Sequence, residues 1–213
     1  LGYCGAVIIS ERYLLTAAHC IEKGFKWNYI LVGGDTETNS QIAFFDQVIP
    51  HPHFIEIKGL PFNDVAIIHL RDPLQFSDKV QSLKLPTSEA VPDSELVVVG
   101  RGQDESGEMS RILKKITITK LTPQECIALI PDDFMDYVFE YLKILNKINI
   151  CAKRLGNVAS VCRGDSGSPL AQDGTLYGIA SYIGKKDCKE TRLGFYTNVY
   201  YYVSWIKAVT GLE

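Results

Sequence analysis

Residues 162–169 read CRGDSGSP and place Ser166 on a short turn between two glycines. Glycine has no side chain to block tight coiling, so a turn of this kind exposes the serine hydroxyl together with nearby backbone N–H groups. Acyl transfer requires both features, because a serine hydroxyl attacks a carbonyl only when a base takes its proton and N–H donors stabilise the resulting oxyanion. The stretch therefore predicts a nucleophilic serine that depends on a base elsewhere in the chain.

Four histidines are candidates for that base: His19, His51, His53 and His69. His19 follows two alanines, which permit close approach, and it precedes a cysteine that would hold the imidazole in place. His51 and His53 flank a proline in a turn-like segment and are expected in solvent, whereas His69 alternates within a strand pattern. His19 is therefore the predicted base.

The acid that orients the base is sought in the segment NDVAII at residues 63–68. Asp64 stands at the start of an apolar strand pattern that would bury its carboxylate. A buried carboxylate is costly unless a hydrogen-bonding or charged partner compensates it. Asp64 is therefore the candidate partner of His19.

The composition indicates a globular protein, because 46% of the 213 residues are apolar and 22% are charged. This length allows one or two cores of about a hundred residues. The formal net charge of -3 provides no basic field for nucleic acid or for an anionic membrane, so neither is an expected partner. No apolar run approaches the ~18 residues of a membrane-spanning helix.

Short apolar or alternating runs between turn residues predict antiparallel β structure. They cover residues 6–9, 29–32, 42–48, 65–70, 96–99, 112–119, 176–181 and 194–199. A helical period predicts one helix through Phe134, Tyr137, Val138, Tyr141, Leu142 and Leu145, and another through Tyr202, Val203, Ile206 and Val209. The polar stretch 87–95 is the predicted crossing between two halves.

The six cysteines are Cys4, Cys20, Cys126, Cys151, Cys162 and Cys188. None forms a Cys-x-x-Cys pair, so zinc-ribbon and thioredoxin-type sites lack their spacing. The even number favours disulfides in an oxidising compartment, and six reduced thiols in a cytosolic enzyme are the alternative. The spacing alone leaves about fifteen pairings open.

Six motifs in one order resemble the trypsin and chymotrypsin family of serine endopeptidases along nearly the whole chain. The motifs are Thr16-Ala17-Ala18-His19-Cys20, Asn63-Asp64-Val65-Ala66, residues 162–169, Ser181-Tyr182, Phe195-Tyr196-Thr197 and Trp205-Ile206. The resemblance implies an all-β peptidase domain over 1–213, made of two antiparallel six-stranded barrels with the site between them. It assigns 1–90 to a first barrel that is incomplete at its N-terminus, 91–199 to the second barrel and 200–213 to a C-terminal helix.

The resemblance also assigns the catalytic roles. Ser166 is the implied nucleophile, His19 the general base and then acid, and Asp64 the residue that fixes the imidazole tautomer. The N–H groups of Gly164 and Ser166 are the implied oxyanion hole. The implied disulfides join Cys4 to Cys20, Cys126 to Cys151 and Cys162 to Cys188. Secretion is the expected localisation.

The resemblance places a specificity pocket at Ser160, Ser181, Tyr182, Ile183, Gly184 and Gly194. A neutral serine at 160, the pocket bottom, cannot pair with a lysine or arginine side chain, so cleavage after apolar residues is expected. Gly194 leaves room for a large apolar group. Two alignments remain open at the entrance: Gly184 there would admit aromatic and leucine side chains, whereas Ile183 would admit small apolar ones.

A final expectation concerns activation. Family members acquire activity when a new N-terminal ammonium inserts beside the aspartate before the nucleophile, here Asp165. Because the sequence begins at Leu1, a zymogen-like loop at 164–166 is expected, unless Lys153 or Arg163 replaces the ammonium. The expected partners are protein or peptide substrates and protein inhibitors. The protein is expected to be a monomer, and no metal or cofactor is expected. The alternative function is a protease-shaped binding protein without turnover.

Overall fold

The computed structural model describes residues 3–21, 28–104, 106–130, 135, 139–154, 161–183, 188 and 193–213. Its first half contains the strands β1 (Val7–Ile8), β2 (Tyr13–Thr16), β3 (Tyr29–Val32), β4 (Gln41–Pro50), β5 (Ile55–Ile57), β6 (Leu60–Phe62) and β7 (Ala66–Leu70). Five of them form an open antiparallel sheet in the order β1-β2-β7-β4-β3, and β5 pairs with β6. The first half is therefore a partial barrel, as expected.

The second half is a closed barrel. Its strands are β8 (Glu95–Gly100), β9 (Lys114–Lys120), β10 (Asn149–Lys153), β11 (Pro169–Gln172), β12 (Thr175–Ile183) and β13 (Leu193–Asn198). They close in the order β10-β13-β12-β11-β8-β9. The predicted all-β architecture is thereby confirmed. The sequence pattern missed β2, β5, β6, β10 and β11, which are three to five residues long and too short for a clear alternation.

Three α-helices have bounds within the described residues: α1 (Pro123–Leu129), α2 (Leu142–Ile148) and α3 (Val199–Thr210). Helix α1, which the pattern missed, begins with a capping box between Thr122 and Glu125. The predicted internal helix is realised as a 3₁₀ turn, Phe139–Tyr141, followed by α2, while Phe134, Tyr137 and Val138 lie outside the described residues. The predicted terminal helix is confirmed as α3, which ends at the left-handed Gly211.

One apolar cluster joins the two halves. It combines Leu15 and Ile67 of the open sheet with Ile179 of the barrel and with Tyr202 and Ile206 of α3, all of them buried. Helix α3 therefore packs against both halves, and the segments that carry the candidate site meet along this shared core. No helix in the described part of the chain is both long and apolar enough to cross a membrane.

Candidate active site

The register of two paired strands brings His19 to Asp64. Thr16 at the end of β2 pairs with Ala66 at the start of β7, so the residues that follow one strand lie beside those that precede the other. His19 Nδ1 lies 2.7 Å from Asp64 Oδ2, and the His19 backbone N–H donates to Asp64 Oδ1 at 2.8 Å. Both carboxylate oxygens thus fix the position of His19.

Asp64 is only 2% exposed, and its burial is compensated by hydrogen bonds from the second barrel. The hydroxyl of Ser181, on β12, donates to Asp64 Oδ2. The hydroxyl of Thr197, on β13, donates to the Asp64 backbone carbonyl at 2.7 Å. The hydroxyl of Ser181 is thus used to hold Asp64, and the prediction that this residue also lines the specificity pocket stays a prediction.

The serine turn is held against β12. The Ser168 N–H donates to the Asp165 carbonyl at 2.9 Å, which closes the turn around Ser166. Two further bonds join the turn to Ala180, the residue before Ser181. The Gly167 N–H donates to the Ala180 carbonyl, and the Ala180 N–H donates to the Ser168 carbonyl, each at 2.8 Å. The turn is therefore attached one residue away from a hydrogen-bond donor to Asp64.

A second attachment joins the same turn to the segment next to His19. The Gly5 N–H donates to the Ser166 carbonyl at 2.7 Å. Gly167 has a φ of 82°, and a Cβ atom there would lie 2.2 Å from the Gly5 carbonyl oxygen, so only glycine fits. The adjacent Cys4 forms a disulfide with Cys20, the residue after His19. The hydrogen bond from Gly5 and the Cys4–Cys20 disulfide therefore connect the segment of Ser166 with the segment of His19.

The predicted oxyanion-hole donors lie in the same turn, and both residues are half-buried. Gly164 has a φ of 95°, a conformation that residues with a side chain rarely adopt. Among the residues that the structure describes, the N–H groups of Gly164 and Ser166 are not used in hydrogen bonds to other residues. Their assignment as the oxyanion hole stays a prediction.

Asp165 turns inward from this loop. Its Oδ1 accepts the Gly102 N–H at 2.7 Å, and its Oδ2 accepts the Cys162 N–H at 2.9 Å. Burial raises the pKa of the Asp165 carboxyl, and the two N–H bonds oppose this shift. The ion pairs between described residues do not include one from Asp165 to Lys153 or Arg163.

The remaining pocket residues are only partly described. Ser160 and Gly184 lie outside the described residues. Ile183 pairs with Gly194 across β12 and β13, and a Cβ atom at Gly194 would lie 3.0 Å from the hydroxyl of Tyr196. Tyr182 stacks on Phe195 with ring centres 4.6 Å apart. The choice between Ile183 and Gly184 at the entrance therefore stays a prediction.

All three disulfides pair as the resemblance implied: Cys4 with Cys20, Cys126 with Cys151 and Cys162 with Cys188. The sulfurs of Cys4 and Cys20 and a ring nitrogen of His19 lie within 4.8 Å of one another. Both sulfurs belong to the disulfide, so neither offers the thiolate that a metal ion requires. This cluster is therefore no metal centre.

Sequence reasoning missed three residues that hold the site. Gly102 donates to Asp165, Thr197 donates to Asp64, and Asn63 adopts a φ of 53° directly before Asp64. Thr197 belongs to the motif Phe195-Tyr196-Thr197 of the sequence analysis, but its hydrogen bond to Asp64 was not predicted. For Asn63 the signal was its residue type, since asparagine is enriched in the left-handed region at turns.

A family model described as Trypsin matches residues 2–206 of the chain. Glandular kallikrein-10 of Rattus norvegicus is 30% identical over 222 residues, which cover 97% of this chain and 80% of the rat protein. Ovochymase of Halocynthia roretzi is 29% identical over 226 residues, which cover 99% of this chain and 14% of ovochymase. Neuropsin, a serine protease expressed in the limbic system of mouse brain, has a solved structure that matches with a TM-score of 0.81 at 25% identity, over 97% of this chain and 88% of neuropsin. The family model spans nearly the whole sequence, and the fold agrees with that of neuropsin. This chain therefore belongs to the trypsin family of serine proteases.

Proposed function

We propose that the chain is a secreted serine endopeptidase in which Ser166, His19 and Asp64 act as the catalytic triad. The observation that carries the proposal is the His19–Asp64 pair, in which a buried carboxylate lies 2.7 Å from Nδ1 of the imidazole. This contact places the proton of a neutral imidazole on Nδ1 and leaves Nε2 as the base. The three disulfides support an extracellular location.

The proposed reaction has two acyl-transfer steps. Ser166 Oγ attacks the scissile carbonyl while His19 Nε2 takes its proton, and the N–H groups of Gly164 and Ser166 stabilise the oxyanion. His19 then gives the proton to the leaving amine, the C–N bond breaks, and an acyl-enzyme forms on Ser166. Water, deprotonated by His19, cleaves the ester and returns the proton to Ser166. The substrates are proteins or peptides, and protein inhibitors that occupy the same cleft of a monomer are further proposed partners.

Labelling by an aryl organophosphonate tests this function against the alternative, a binding protein without turnover. The reagent reacts only with a serine that has both an activated hydroxyl and an oxyanion hole, so we expect stoichiometric adduct on Ser166 by peptide mass spectrometry. The S166A variant is the control and should take up no label. An unlabelled chain with all three disulfides formed would contradict the enzyme and support the binding protein.

The same labelling reaction tests the proposed role of Asp165 in activation. The Asp165 carboxylate is compensated by two backbone N–H groups and by no described cation. We propose that an N-terminal α-ammonium beside Asp165 would favour the active form of the loop by pairing with this partly buried charge. A form of the protein with a free α-ammonium at the family's mature N-terminus should label faster than the same form after N-terminal acetylation. Equal rates in the two would show that Asp165 needs no such partner.

Specificity is proposed to be for apolar residues before the scissile bond. A neutral Ser160 would leave a buried lysine or arginine cation unpaired, so matched peptides ending in those residues should have kcat/KM values about 100-fold below the best apolar peptide. Phenylalanine and leucine should be preferred if Gly184 lines the entrance, and alanine if Ile183 does. The variant S160D is the control and should gain the ability to cleave peptides after lysine and arginine. A native preference for either cation would contradict the proposal.

A further inference from the structure

A chain of hydrogen bonds runs from the C-terminal helix to the residue before Asp64. The hydroxyl of Tyr202, on α3, lies 3.1 Å from Asn63 Oδ1 and donates to it. The other end of the same amide, Asn63 Nδ2, donates to the His53 carbonyl at 2.7 Å. The two bonds use opposite ends of the Asn63 side chain, so together they define its orientation.

The backbone of Asn63 has a φ of 53°, in the left-handed region. Asparagine adopts this region more readily than most residues but less readily than glycine, so the two side-chain bonds help to hold it there. The Val65 N–H donates to the Asn63 carbonyl at 2.8 Å, so Asp64 stands at the centre of a tight three-residue turn. A change in the Asn63 conformation would therefore rotate the Asp64 peptide and move its carboxylate away from His19.

Tyr202 is itself rigidly held. It is 2% exposed, and its ring contacts His51 in an edge-to-face arrangement with ring centres 5.2 Å apart. The His51 ring also contacts Trp205 on the same helix, at 4.8 Å, and the His51 N–H donates to the Val65 carbonyl at 2.9 Å. His51 is thus partly buried between α3 and the turn, and its expected location in solvent was wrong. Helix α3 therefore contacts the first residue of the turn directly, through Tyr202, and is linked to the last residue, Val65, through His51.

We propose that Tyr202 is a positioning residue for the triad, which acts through Asn63 to hold the Asp64 carboxylate against His19. The inference rests on the proposed function, because it concerns the same triad. The hydrogen bond of the Tyr202 hydroxyl goes to Asn63, not to a reacting group, and it contributes by stabilising the turn conformation in which Asp64 reaches both His19 Nδ1 and the His19 N–H.

The groups around Asp64 make the pH dependence of the reaction a specific readout. Among the described residues, the titratable side chains that interact with Asp64 include His19, Tyr182 and Tyr202. Burial raises the pKa of both tyrosines above the already high value of an ordinary tyrosine, so they stay neutral over the pH range of the assay. Burial and the neighbouring His53 lower the pKa of His51, so His51 takes up its proton only at more acidic pH than an ordinary imidazole. We therefore assign the upper part of the acidic limb of a kcat/KM profile to His19 beside Asp64.

The variant Y202F tests the proposal, because it removes the hydroxyl and keeps the ring between His51 and α3. Rates are normalised to active sites titrated with the phosphonate, so unfolded protein does not contribute. We expect kcat to fall about threefold to tenfold with little change in KM, the effect of losing one hydrogen bond that aligns the triad. The acidic limb should move to lower pH, because a less closely held carboxylate stabilises the imidazolium less. Tyr200, exposed on the same helix, gives the matched control Y200F, which should match the unaltered chain.

The variant N63G provides the second test, since glycine adopts the left-handed conformation without strain but lacks the amide. If Tyr202 acts through Asn63, the double variant Y202F/N63G should be no slower than N63G. Independent, multiplicative losses would overturn the proposal, as would a Y202F enzyme with unchanged kcat and pH profile. Failure of the unaltered chain to take up phosphonate would instead overturn the proposed function, and this inference with it.

Discussion

Replacing Ser166 or His19 with alanine is expected to lower kcat on the order of 10⁶-fold, and the double variant should lose no more than either single one. The reason is that the two residues act as a unit: the hydroxyl is unreactive without a base, and without the hydroxyl no acyl-enzyme can form. The residual rate above that of water comes from the oxyanion-hole donors of Gly164 and Ser166, which both variants retain.

Purified variants assayed on one peptide substrate, with the single and double changes measured side by side, check this expectation. Thermal unfolding serves as the control for correct folding. The variants should unfold at nearly the temperature of the unaltered chain, because neither alanine removes a hydrogen bond that attaches the serine turn to Gly5 or Ala180. Ser204, exposed on α3, gives the control S204A, which should retain full activity. Losses that multiply in the double variant would show that the two residues do not work as a unit.

Replacing Asp64 with asparagine is expected to lower kcat by about 10⁴-fold at neutral pH. An amide has one oxygen and one NH₂ group, whereas both Asp64 oxygens accept N–H bonds from His19. The backbone N–H cannot change its role, so the amide oxygen has to face it and the NH₂ group has to face Nδ1. His19 would then carry its proton on Nε2, where it can no longer accept one from Ser166.

The chain contains a matched control for this variant. His69 Nδ1 lies 2.7 Å from Asp46 Oδ1, the same distance as in the buried pair, but Asp46 is exposed on β4. The variant D46N should therefore keep kcat within about twofold, because exposed pairs contribute little. If D64N were as active as D46N, Asp64 would not set the tautomer of His19.

The sequence determined the identity of the chemical groups. Ser166, His19 and Asp64 each lie in a local context that predicts their chemistry: a glycine-rich turn, small residues before a histidine, and a carboxylate at the start of an apolar strand. Each of these contexts consists of a few consecutive residues, so it can be recognised in the sequence without knowledge of the fold. The long strands β4, β8, β9, β12 and β13 and the stripe of α3 were likewise predictable, because their periodicity extends over enough residues to be recognised.

The cysteine pairing was decided differently. Spacing alone left about fifteen pairings open, and only the resemblance to a family selected the three that the structure contains. The structure also showed why one of them matters for the site. Cys4 carries Gly5 to the serine turn while Cys20 holds the segment of His19, so this disulfide joins two parts of the proposed triad.

Only the tertiary structure decided what holds Asp64 in place. Ser181, Thr197 and the Tyr202–Asn63 pair make hydrogen bonds that span 117, 133 and 139 residues of the chain. A lone hydroxyl on a strand or helix leaves no periodic pattern, and its partner depends on how the two halves and α3 pack along their shared apolar core. The sequence therefore determined which residues can perform the chemistry, whereas the packing of distant segments determined which residues hold them in position.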